Sequence, residues 1–162
     1  MLSDKRGFSL PELMIIVGII ALMGAIAVPM SINSISARRL STSSLEVLAL
    51  LEHARSSAIK RGESVFVSIN LAQNTYRATA GSPTGDTVRT GRMPAGITLQ
   101  QPASDSLPST FRFNSHGLPE TESSPGAWVL TRGKLLLSDG GRHANKTISL
   151  NAGGNARIEK TN

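Results

Sequence analysis

Gly7-Phe8-Ser9-Leu10-Pro11-Glu12 leads into LMIIVGIIALMGAIAVPM, residues 13–30, and this stretch decides how the rest of the chain is read. From Phe8 onward the only charge before Arg38 is Glu12. Residues 8–30 make 23 positions, roughly 34 Å as a helix, enough to cross the apolar core of a bilayer. A carboxylate inside such a run costs about 2.5–3.5 kcal/mol near the bilayer centre, so Glu12 reads as functional. Upstream lies a short basic leader, MLSDKRG, residues 1–7. A cleaved secretory signal is the rival reading, with Ala25-Ile26-Ala27 as a small-x-small cut site. It gives no use to Glu12.

The junction Lys5-Arg6-Gly7-Phe8, followed by Glu12 and an apolar helix, resembles the prepilin cleavage motif of type IV pilins and type II secretion pseudopilins. That resemblance implies cleavage between Gly7 and Phe8 by prepilin peptidase, N-methylation of Phe8, and a part for Glu12 in assembly. Physically, a buried ammonium on Phe8 and a buried carboxylate on Glu12 each need a partner, and neighbouring subunits of a stack can supply one. Lys5 and Arg6 before the span balance Arg38 and Arg39 after it, so charge leaves the orientation open. The resemblance implies a single-pass inner-membrane protein with its globular domain in the periplasm, later built into a pilus or pseudopilus.

Working outward, Pro29 lies inside the helix and predicts a kink or local unwinding. Gly18 and Gly24 allow close helix contacts. Residues 31–62 keep a helical period: Leu40, Val47, Leu51, Ala54 and Ala58 share one face, flanked by Leu48 and Leu50. Glu46, Glu52, His53 and Lys60 fall outside that stripe, and Gly62 is a natural stop. Residues 63–162 then read as a β-rich domain. Val65, Val67 and Ile69 alternate with Phe66 and Ser68. Further strands are expected at 75–80, 87–90, 97–101, 110–113, 127–137, 146–150 and 156–159. A turn is expected at 81–86, and Pro- and Ser-rich exposed loops at 101–109 and 118–126. The expected class is α+β: one long helix, its first half spanning the membrane, packed on a carboxyl-terminal antiparallel sheet.

Three stretches narrow the resemblance to the GspH/FimT subgroup of the type IV pilin-like family. They are residues 54–61 (ARSSAIKR) at the helix end, residues 110–118 (TFRFNSHGL), and residues 147–158 (TISLNAGGNARI). The subgroup implies a structural role: a minor pilin that takes part in initiating type IV pilus assembly, with other pilins as partners. The equivalent minor pseudopilin H of a type II secretion system shares the same motifs, and the two stay open.

Composition sets the remaining bounds. The chain has 162 residues, no cysteine and a formal charge of +6, which becomes +5 once residues 1–7 are removed. Thiol catalysis and cysteine-ligated metals are excluded. His53, His116 and His143 have no ligand spacing, and there is no nucleophile elbow and no phosphate loop, so no catalytic residue, metal or cofactor is assigned. The last third is basic: Arg132, Lys134, Arg142, Lys146, Arg157 and Lys160 stand against Asp139 and Glu159. Such a surface attracts phosphate non-specifically. Some FimT-like pilins bind DNA through a terminal G-R-x-R motif. The matching tetrapeptide, Gly154-Asn155-Ala156-Arg157, keeps the glycine and the last arginine. Arg142, Lys146, Arg157 and Lys160 are the candidate DNA contacts, and a solvated hairpin is the plainer alternative. Restoring the arginine at Asn155 is expected to strengthen binding.

Overall fold

The structure, a computed structural model, describes residues 9–160; residues 1–8 and the side chains of 27–33 and 160 lie outside that description. It divides into two units, residues 1–36 and residues 37–162. Helix α1 (Leu10–Arg61) is continuous. The local unwinding expected at Pro29 is therefore absent from the backbone. A proline withholds one donor, and the remaining ladder carries the helix past it. Glu12 lies in the first turn, and the first helical bond runs from Leu13 N–H to Ser9 O at 3.2 Å. The helix ends where Gly62, at φ +67°, donates to Ala58 O at 3.0 Å.

In the second unit the apolar stripe of α1 is buried as its spacing predicts. Leu40, Val47, Leu50, Leu51, Ala54 and Ala58 are each at most 1 % exposed. Each buried leucine contributes about 1.5–3 kcal/mol of transfer free energy. The stripe meets a six-stranded sheet in which β1 (Val65–Asn70) pairs with β2 (Thr75–Ala80) and with β5 (Thr110–Phe113). Strand β3 (Thr87–Arg92) flanks β2, while β6 (Pro119–Ser124) and β7 (Ala127–Leu130) extend the sheet beyond β5. Val65, Val67, Phe111 and Phe113 face the core, with the two phenylalanine rings edge to face at 5.7 Å. Tyr76 on β2 donates its hydroxyl to Glu46 of α1 at 3.3 Å.

The single sheet expected is in fact two. A four-stranded sheet holds β10 (Ala156–Lys160), β9 (Lys146–Leu150), β8 (Gly133–Ser138) and β4 (Thr98–Gln100), in that order. Leu135, Leu137, Ile148 and Leu150 join the same core cluster as the helix stripe. All strand pairs in both sheets are antiparallel.

Two expectations need correction. Residues 118–126, read as a loop, contain β6. Its sequence, PETESS, has no apolar alternation because half of the strand is exposed and only Pro119 is buried, and backbone pairing with β5 and β7 defines it. Residues 127–137, read as one strand, are two strands in different sheets. Thr131 N–H bonds Pro119 O at 2.9 Å, and past it the chain leaves β7 for β8. Trp128 on β7 also explains why Phe66, on the outer face of β1, is 7 % exposed. The rings meet edge to face at 5.8 Å, and Arg112 lies 3.7 Å over the indole while bonding Glu120.

Candidate functional site

In the first unit the described side chains of α1 stand out from the helix into solvent. Leu10, Leu13, Met14, Ile15, Val17, Ile19, Ile20, Leu22, Met23 and Ile26 are all more than half exposed. Glu12 is exposed among them. A helix apolar on every side is stable only where something else covers it. Among the described residues no helix is long and apolar enough to cross a membrane. Gly7 and Phe8 lie outside the described residues.

In the second unit the structure brings together three distant stretches, those that carry the subgroup resemblance. Arg55, on α1, donates from Nε to Gly117 O at 3.2 Å, from Nη2 to Gly153 O at 3.0 Å and from Nη1 to Asn155 Oδ1 at 2.6 Å. Gly117 belongs to the turn between β5 and β6, and Gly153 and Asn155 to the turn between β9 and β10. Sequence reasoning had the three stretches and missed that Arg55 joins them. No spacing rule links residues about 100 positions apart.

The basic residues of the last third do not form one face. Register sets Arg157 opposite Ser149, and Ser149 opposite Lys134, so these three share the outer face of the four-stranded sheet. Lys146 lies opposite Leu137 and shares the face of Ile148, the core side, at the end of the sheet. Lys160 lies opposite Lys146 in register, and its side chain is not described. Arg142 sits on the exposed turn between β8 and β9. A groove of about 440 Å³ on the outer face is lined by Asp105, Arg132, Lys134, Asn155, Arg157 and Glu159, among others. Arg157 is paired with Glu159 at 2.7 Å, which holds the Glu159 carboxyl below its usual range. Asn155 is the place where the motif arginine is missing, and its side chain is committed to Arg55.

The histidines are scattered. His53 is exposed on α1, and His116 lies in the β5–β6 turn. His143 bonds Asp139 through Nδ1, and its backbone N–H donates to the same carboxylate at 3.1 Å. The Asp139/His143 pair was missed, although the i,i+4 spacing around Gly140-Gly141 carries a faint signal of it. Among the described residues no cluster of three or more side chains suits a metal ion.

A long helix over antiparallel sheets, with an apolar exposed first stretch, defines a fold of the type IV pilin-like class. Two solved structures share it. One is the minor pseudopilin EpsH from the type 2 secretion system of Vibrio cholerae, with TM-score 0.57 at 13 % identity over 75 % of this chain and 97 % of that one. Another is the type IV minor pilin FimU of Pseudomonas aeruginosa, with TM-score 0.55 at 16 % identity over 78 % and 90 %. At such identities the likeness is one of fold. The sequence model of the prokaryotic N-terminal methylation motif matches residues 2–28. That of the Type II transport protein GspH matches residues 44–154, most of the chain, and the chain belongs to that family. A search of curated proteins finds no match.

Proposed function

We propose that this protein is a minor pilin or pseudopilin: a structural subunit that joins other pilin-type subunits in an envelope-anchored filament, a type IV pilus in the first instance. The observation that carries this is the all-round apolar, exposed start of α1 bearing Glu12, continuous with a helix half whose single stripe is buried. The first half is covered by lipid before assembly and by neighbouring helices afterwards. Prepilin peptidase removes residues 1–7, and the new amino group of Phe8 is neutralised by Glu12 of an adjacent subunit. The globular domain lies on the periplasmic side of the inner membrane. Glu12→Ala is expected to insert normally, since it removes a charge from lipid, but to be depleted from sheared filaments when expressed beside wild-type subunits. Equal incorporation of the two forms contradicts the assigned part of Glu12.

A second reading is favoured by the outer-face groove: weak binding of duplex DNA through Arg132, Lys134 and Arg157, with Arg142 on the neighbouring turn. Each phosphate contact releases condensed counterions, so binding falls steeply with salt. In a gel-shift titration the wild-type chain is expected to retard DNA at low salt only, and Arg132→Ser with Lys134→Ser to lose the shift. No shift at low salt removes this reading. Asn155→Arg is no longer a clean gain, because it deletes the acceptor for Arg55 and sets one cation beside another.

A further inference from the structure

The Arg55 guanidinium spends a donor on each of its three nitrogens, and all three acceptors belong to turns rather than strands. The two turns also touch each other. A Cβ placed on Gly154 would lie 2.2 Å from Gly117 O and 2.9 Å from Arg55 Nε, and one on Gly117 would lie 2.7 Å from Ile59 Cδ1. Both glycines have positive φ, +81° and +76°. Helix, first turn and second turn therefore meet at one junction with no room for a side chain.

The β9–β10 turn is held internally by three hydrogen bonds. Asn151 N–H bonds Asn155 O, Gly154 N–H bonds Asn151 O, and Asn155 N–H bonds Asn151 Oδ1, all within the turn. Asn151, Ala152, Gly153 and Asn155 are exposed, so no apolar side chain anchors it. The core begins beneath it, at Leu150 and Ile148. Among the described residues, the hydrogen bonds that tie it to α1 come from Arg55. The same turn supplies Asn151 and Asn155 to the wall of the outer-face groove.

We propose that Arg55 is a latch: it holds the β5–β6 and β9–β10 turns to α1 as one unit, and when it lets go both turns loosen together while the sheets stay folded. The position of one wall of the groove is thereby tied to the helix. The planar fork carries the effect, since three acceptors in fixed directions suit a guanidinium and not an ammonium.

Amide hydrogen exchange of the full-length chain in detergent solution tests this, comparing wild type with Arg55→Lys, Arg55→Ala and Asn155→Ala. In both Arg55 variants the amides of Gly117, Gly154 and Asn155 are expected to exchange about tenfold faster or more, with Val67 and Leu135 at wild-type rates. Asn155→Ala removes one acceptor and is expected to quicken both turns by less, Gly117 included, although Gly117 does not bond Asn155. It decides the matter if Arg55→Ala does not fold. The proposal is overturned if neither turn responds, if residues 151–155 quicken without Gly117, or if Val67 and Leu135 rise along with the turns.

Discussion

Asp139 carries a carboxylate whose side chain is 2 % exposed, and two donors from His143, ring and backbone, compensate its loss of water. The ring hydrogen bond is the main reason its pKa lies below the ordinary aspartate value, with burial pulling the other way. A carboxyl depressed in the folded state adds stability above its unfolded pKa and loses it as pH falls through the folded one. The affected window therefore opens below about pH 4. Asp139→Asn is expected to lower the melting temperature at neutral pH and to flatten its decline below that point. Thermal melts across the acid range check this, and parallel curves for the two proteins would contradict it. Glu159, depressed by Arg157 and then Ser149, is partly exposed and remains in both proteins, so some acid dependence persists.

Helix α1 separates two kinds of apolar position that look alike as residues. Leu51 is 1 % exposed against the sheets, whereas Leu45, six positions earlier, is 57 % exposed. Leu51→Ala leaves a cavity in a shared core and is expected to cost about 2–5 kcal/mol. Leu45→Ala is expected to stay within about 0.5 kcal/mol for the isolated chain. Urea titrations of both variants measure the difference, and a similar loss for the two would mean that Leu45 is covered. The stripe was legible because a helix face repeats regularly, and five residues agreed on one direction. Strand β1 was legible for the same reason at period two. Strand β6 was not, since a strand exposed on much of its length needs no apolar side chains and is fixed by its neighbours' backbones. The break between β7 and β8 was equally hidden: Val129, Leu130 and Leu135 are all apolar, yet the first two are exposed and the third is core.

At the scale of the whole molecule the sequence divides into a part that announces itself and a part that does not. The junction Lys5-Arg6-Gly7-Phe8 with Glu12 is local, so the methylation motif matched at residues 2–28 was legible from a dozen residues. The second unit's sites are assembled from afar. Arg55, Gly117 and Asn155 are far apart in sequence, and the packing of both sheets on the second half of α1 brings them together. Of the four basic residues grouped by proximity in sequence, the pleat sends Arg157 outward and Lys146 to the core side, while Arg142 lies on a turn. Lys134 and Arg132 line the outer-face groove with Arg157.

The central claim is that this chain is processed as a pilin-type subunit before it is assembled. Intact-mass spectrometry of the protein extracted from membranes tests it most directly. The account predicts a chain that lacks residues 1–7 and carries one methyl group on the amino terminus of Phe8. An intact Met1 terminus, or a new terminus after Ala27, would contradict it.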